Sequence, residues 1–119
     1  MLKEKMSMWD TVPGMCVENP DLTAFIPDDK KSDGAVVVFA GGGYCLRSSY
    51  EGEGYAEFLA EHGITAFVCD YRVSPHRFPL PLLDARRAVR WVRANAGKQI
   101  FYFPDTCYFG YIIYYSTYI

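Results

Sequence analysis

"VVVFAGGGYCL", residues 36–46, passes from an apolar, β-branched stretch directly into three glycines and a tyrosine. Taken as residues 35–40, the apolar part is short, continuous and without polar alternation. That is the pattern of a strand covered on both faces. Three successive residues without Cβ then put bare backbone at the strand's end. Their N–H groups can approach a ligand closely and reach φ/ψ values closed to other residues. A dinucleotide fingerprint would need glycine at position 46, which is Leu46, and no Gly-Lys-Ser/Thr is present. A plain tight turn, or a loop that holds some other group by its backbone, remains.

The flanks supply the rest of an α/β unit. Residues 21–27, "DLTAFIP", alternate well enough for a short strand that stops at Pro27, and a polar turn, "DDKKSDG", follows. Residues 48–63 predict a helix. Ser48 and Glu51 have capping-box spacing, Gly63 closes the C-terminus, and Tyr55, Phe58, Leu59 and His62 share one side. Residues 64–73, "ITAFVCDYRV", predict a second buried strand. The proline-rich "SPHRFPLP" cannot continue it. Residues 82–97 predict a second amphipathic helix with Ala85, Ala88, Val89 and Val92 on one face and Gly97 as its end. Two strands with a helix between them form a βαβ unit with parallel strands.

The chain's 119 residues are enough for one domain with a core, and half of them are hydrophobic. A formal net charge of −2 gives no electrostatic case for nucleic acid. The N-terminal "MLKEKMSMWDTVPG" is too polar for a secretory leader, and no stretch reaches the roughly 18 apolar residues of a membrane span. Cys16, Cys45, Cys69 and Cys107 show no metal-ligand spacing, so reduced thiols and a cytoplasmic location are expected, with neither metal nor cofactor.

After Lys98 the composition changes. Six of the ten tyrosines lie there, Asp105 is the only formal charge, and alanine and arginine vanish. Either residues 99–119 form an aromatic strand pair, or they are an out-of-frame or misjoined end attached to a domain over residues 1–98. Tyrosine, isoleucine and phenylalanine have A/T-rich codons, which favours the second reading.

The strand with its Gly-Gly-Gly-Tyr turn, the "EGEGYAEFLAEHG" helix, "DYRVSPH" and "PLLDARRAVRWVR" occur in an order that resembles the N-terminal half of α/β-hydrolase-fold esterases. The nearest branch is the acetylxylan-esterase-like sugar deacetylases, with hormone-sensitive-lipase-like relatives, and the resemblance covers residues 21–97. It implies a partial α/β-hydrolase fold: an incomplete, mostly parallel sheet with helices on both faces, in three layers. It also implies a serine carboxylic-ester hydrolase acting on acetylated sugars or small esters. In that role Gly42 and Gly43 present oxyanion-hole N–H groups and Tyr44 lines the acyl or sugar pocket. A tetrahedral intermediate develops an O⁻, and preorganised N–H donors stabilise it. Ala40 stands where the lipase-type motif has histidine, which leaves the subfamily open.

One part is missing. The family's nucleophile sits in Gly-x-Ser-x-Gly, and no serine or cysteine here has glycine two positions away on both sides. The catalytic acid and base of the family come later still. The chain is therefore expected to be a fragment without a triad, inactive alone and prone to self-association through an exposed sheet edge. The alternative is a non-catalytic protein that binds a ligand or partner. Of the remaining candidates, His76 is expected to hydrogen-bond within its loop and His62 to suit the end of its helix. Asp70 is expected to bond neighbouring backbone, and Asp84 to pair with Arg87 three residues on. Arg86, Arg90 and Arg93 form a solvated stripe, and Cys45 has no partner base.

Overall fold

The computed structural model describes residues 1–9, 11–13, 20–31, 35–41, 45–48 and 50–95. Their elements are β1 (Leu2–Ser7), β2 (Asp21–Ile26), β3 (Ala35–Val38), α1 (Glu53–Glu61), β4 (Thr65–Cys69) and α2 (Leu80–Ala94). The strands form one sheet in the order β1-β2-β4-β3. β3 runs parallel to β4, with Ala35 opposite Thr65 and Val38 opposite Val68. β2 runs antiparallel to both of its neighbours, pairing Leu22 with Cys69 and Ser7 with Asp21.

The sheet is thus mixed, where the sequence pattern implies a mostly parallel one. Chain length gives the reason. A parallel return needs a crossover of a dozen or more residues, and the polar connection over residues 27–34 is too short for one. β2 must therefore oppose β3, and β4 enters between them after its own helical crossover.

The period of two along each strand sorts side chains onto the two faces. Leu22, Ala24, Val37, Phe67 and Cys69 meet Ala88 and Val92 of α2 on one face. Phe25, Val38, Ala66 and Val68 meet Ala56 and Ala60 of α1 on the other. Helices cover both faces, as expected, and β4 is buried along its whole length. No helix among the described residues is long and apolar enough to cross a membrane.

The sequence reading lacks β1. Its signal is present but weak: Met6 and Met8 turn towards the α2-side core while Lys3, Lys5 and Ser7 stay exposed. Lys3 lies over the Phe25 ring at 5.3 Å and pairs with Glu53 at 3.3 Å, and Lys5 pairs with Asp21 at 3.2 Å. Lysines on an edge strand discourage further pairing.

α1 also departs from its predicted face. Of Tyr55, Phe58, Leu59 and His62, only Leu59 packs on the core, and the other three are exposed. Alanines occupy the contact because they let the helix sit close on the sheet. At the helix start a Cβ on Gly52 would already lie 3.4 Å from Val68 Cγ1 and 3.5 Å from Ala40 Cβ. The helix ends as expected. Gly63 has φ of 83°, its N–H bonds Ala60 O, and the Ile64 N–H bonds Leu59 O. These two bonds define a Schellman motif.

α2 buries Ala88 and Val92, with Ala85 and Val89 partly covered, so its predicted face holds. That face also carries a charge, because Asp84 is fully buried.

Candidate functional site

The ladder between β3 and β4 ends at Val38, and the chain then runs through Phe39, Ala40 and Gly41, all buried. Side chains and neighbouring backbone hold this exit. The Tyr71 hydroxyl donates to Ala40 O. The Gly41 N–H donates to Glu51 Oε2 at 3.0 Å, and Gly41 O accepts from the Ser48 N–H at 3.0 Å. Ser48 O in turn accepts from the N–H groups of Glu51 and Gly52 at 3.1 and 3.0 Å. Arg47 Nη1 donates to Tyr71 O, and Arg47 Nε lies 3.7 Å from Asp70 Oδ1. The entry to the glycine turn at Ala40 and Gly41, and the Arg47–Ser48 segment beyond it, are therefore tied to the residues before α1 and to the end of β4.

This arrangement replaces the expected capping box. The N-cap of α1 is Gly52, and no side chain caps it. The Glu51 carboxylate is used on Gly41 instead. Gly42, Gly43 and Tyr44, the predicted oxyanion donors and pocket residue, lie outside the described residues, as do Gly97 and the tail over residues 99–119.

The acidic candidates separate by environment. Asp84 Oδ2 accepts from the Arg72 backbone N–H and from Arg72 Nε, both at 2.9 Å. Its Oδ1 accepts from Arg72 Nη2 at 3.0 Å and from Trp9 Nε1 at 2.9 Å. Arg72 Nη1 reaches Pro13 O at 2.6 Å. Neither charged side chain touches solvent, and each is closed by hydrogen bonds. The expected Asp84–Arg87 pair does not form, because Arg72 satisfies the carboxylate. Arg87 donates to Met8 O at 2.7 Å and lies over the Trp9 ring at 5.2 Å. Sequence reasoning overlooked Arg72, although one clue existed. Asp84, Ala88 and Val92 fall four apart on the apolar face, and a charge there needs a buried partner.

Asp70 directly follows β4 and is half-buried. Its carboxylate faces Arg47 Nε at 3.7 Å instead of the neighbouring backbone expected for it, and the backbone tie is its own N–H, which bonds Asp21 O at 2.9 Å. Burial pushes its carboxyl above the ordinary range, and Arg47 and Lys5 pull it partly back. Burial also raises the Cys69 thiol, reinforced by the charges of Asp84 and Asp70, so this cysteine is no nucleophile.

The His76 N–H bonds Val73 O at 2.9 Å inside the proline-rich loop. His62 is the C-cap of α1, with Nδ1 2.7 Å from Phe58 O and its ring tilted 35° against Phe58 at 4.2 Å. Arg86, Arg90 and Arg93 are exposed, and so is Cys45.

The strand order β1-β2-β4-β3, a helix on each face and a glycine turn leaving β3 define the N-terminal part of an α/β-hydrolase fold. The match of its family model over residues 22–106 places the chain in the BD-FAE family. The chain is 40% identical over 83 residues to endo-1,4-beta-xylanase B of Butyrivibrio fibrisolvens, covering 66% of this chain and 13% of that protein. Among solved structures it resembles the acetyl ester-xyloside bifunctional hydrolase of Caldicellulosiruptor lactoaceticus. The TM-score there is 0.74 at 36% identity, over 83% of this chain and 39% of that one. It also resembles MGS-M1, an α/β-hydrolase enzyme from a Medee basin deep-sea metagenome library. That match has a TM-score of 0.69 at 29% identity, over 86% of this chain and 43% of the other. The chain spans less than half the length of each of these relatives.

Proposed function

We propose that the chain is the N-terminal portion of a serine carboxylic-ester hydrolase acting on acetylated sugars or similar small esters. It contributes the oxyanion loop. In this reading Gly42 and Gly43 donate backbone N–H groups to the developing O⁻, and Tyr44 lines the acyl or sugar pocket. The observation that supports it best is the tethering of Gly41 at the exit of β3. Its N–H is held by Glu51 and its C=O by Ser48, so the turn starts from a fixed peptide. Donors stabilise a transition state only if they are aimed before the reaction, and a fixed base meets that need.

The sequence holds no Gly-x-Ser-x-Gly, so the 119-residue chain supplies the loop and not the nucleophile. Residues 1–98 constitute the hydrolase portion and 99–119 a tail foreign to it. The scattered cysteines support a reducing compartment, and the reading takes the chain as cytoplasmic.

Two measurements test the reading. The purified chain should hydrolyse p-nitrophenyl acetate at the buffer rate, and a burst abolished by a serine-directed phosphonate would reveal an overlooked nucleophile. A chimera carrying residues 22–95 in the matched segment of the acetyl ester-xyloside hydrolase should cleave acetyl esters. Gly43→Pro in that chimera removes one N–H donor and should lower kcat by about 10²–10³-fold. An undiminished kcat would remove Gly43 from the oxyanion hole.

A further inference from the structure

We infer that the exposed sides of α1 and α2 are the two halves of one interface, through which the acidic stripe of one copy docks on the basic stripe of a second. α1 exposes Glu53, Glu57 and Glu61, four residues apart, and carries no lysine or arginine. α2 exposes Arg86, Arg90 and Arg93, while its one acid, Asp84, is buried against Arg72. Among the described residues, Glu57, Glu61, Arg86, Arg90 and Arg93 enter no ion pair, and Glu53 meets Lys3 at 3.3 Å.

Neither stripe is favourable alone. Like charges four residues apart on a helix repel, which applies to the three glutamates and to Arg86 with Arg90. Glu61 also ends α1, where the helix dipole disfavours an acid. An opposite stripe relieves both costs, and the spacings match. At about 1.5 Å of rise per residue, the glutamates span about 12 Å and the arginines about 10 Å. Phe58 adds an aromatic ring to the acidic side. It points away from the buried Ala56 and Ala60 and is 55% exposed. Guanidinium groups stack on such rings, so a row of arginines suits the phenylalanine as well as the carboxylates.

The two helices lie on opposite faces of the sheet, so one molecule cannot close the contact on itself. A second copy brings both stripes at the matching spacing. The contact is heterologous, because each docking leaves one acidic and one basic stripe open, and association proceeds beyond a dimer. Salt separates it from pairing at the β3 edge. Exposed charges are screened beyond about 10 Å at 0.1 M ionic strength and beyond about 3 Å at 1 M, whereas burial of an apolar edge does not depend on charge.

Sedimentation velocity on the full 119-residue chain tests this. Its association constant should fall at least about tenfold as NaCl rises from about 0.02 M to about 0.5 M. Glu57→Lys with Glu61→Lys, and separately Arg86→Glu with Arg90→Glu, should each lose the salt-sensitive association, because both helices then present mainly one sign. Mixing the two double variants should restore it, and so should all four reversals in one chain. All four positions are exposed, so far-UV circular dichroism should match wild type. The salt dependence of the wild type decides even if a variant fails to fold. Association that ignores salt, or double variants that associate as wild type does, would overturn the inference. So would failure of the mixture and the fourfold variant to recover it. A wild type that stays monomeric at low salt but binds added polyglutamate would also overturn it, and would give the α2 stripe to a foreign acidic partner.

Discussion

Asp84 and Arg72 carry opposite full charges with no access to water, and their charged atoms are met by hydrogen-bond partners. Removing one member strands the other, so Asp84→Ala should destabilise the chain by about 3–5 kcal/mol in urea unfolding. Adding Arg72→Met should recover part of that loss, because the orphaned cation goes with it. If the double variant is as unstable as the sum of the singles, the pair is not coupled. Asp70 makes the opposite case. Its carboxyl is raised above the ordinary value by burial, so the folded state binds the proton more tightly than the unfolded chain. The linked stability is full below the ordinary carboxylate range and is lost as pH rises through the raised value. At neutral pH the charged carboxylate is therefore a cost. Asp70→Asn should raise the urea midpoint at pH 7, with the advantage shrinking at pH 4. A lower midpoint at pH 7 would mean that the Arg47 contact outweighs burial. Of these residues the sequence made Asp70's place legible, at the end of a buried strand, but not the Arg47 contact of its carboxylate. It concealed the Arg72–Asp84 pair, because the partners lie twelve positions apart, one in the loop after β4 and one on α2.

At the scale of elements, α1 has a well-marked end and a plain beginning. Gly63 closes it with φ of 83°, and a Cβ there would lie 2.7 Å from Lys31 Cγ and 2.9 Å from Asp29 O. An L-residue resists this conformation by about 1–2 kcal/mol, and the backbone oxygen of Asp29 cannot swing aside. Gly63→Ala should therefore lower Tm measurably in a thermal melt, and an unchanged Tm would show that the turn relaxes freely. Gly63 was legible because a glycine after a helical pattern has one common use. The core-facing side of α1 was not. Periodicity marks which residues share a side, but alanines can outrank aromatics for the contact when a helix sits close to a sheet. Ala56 and Ala60 do so here, and Phe58 stays more than half exposed at 55%.

For the whole molecule, the two borders of the sheet differ in kind. β1 carries Lys3 and Lys5 along one border. β3, with the sequence AVVV, pairs with β4 alone among the described strands and has no charge on it. Apolar edges without charge template further pairing, and Tyr55 and Phe58 add exposed apolar surface on α1. The isolated chain should associate with itself. Size-exclusion chromatography should show elution moving to larger size as concentration rises, with Tm dependent on concentration. A monomer at every concentration, with one sharp transition, would contradict this.

The sequence alone determined the parallel β3–α1–β4 unit, because short apolar runs, helical periods and glycine stops are local signals that each segment carries itself. It also determined the glycine turn and its place at a strand end. Only the tertiary structure decided that β1 exists, since a mostly polar strand with two lysines and one methionine becomes one by finding β2's free border. Tertiary structure likewise set β2 antiparallel to β4, buried Asp84 against Arg72 and turned Glu51 from its own helix to Gly41. Each of these depends on which distant group arrives alongside. Hydrogen bonds and ion pairs are satisfied by whichever partner the packed chain brings within about 3 Å, and spacing along the sequence does not encode that.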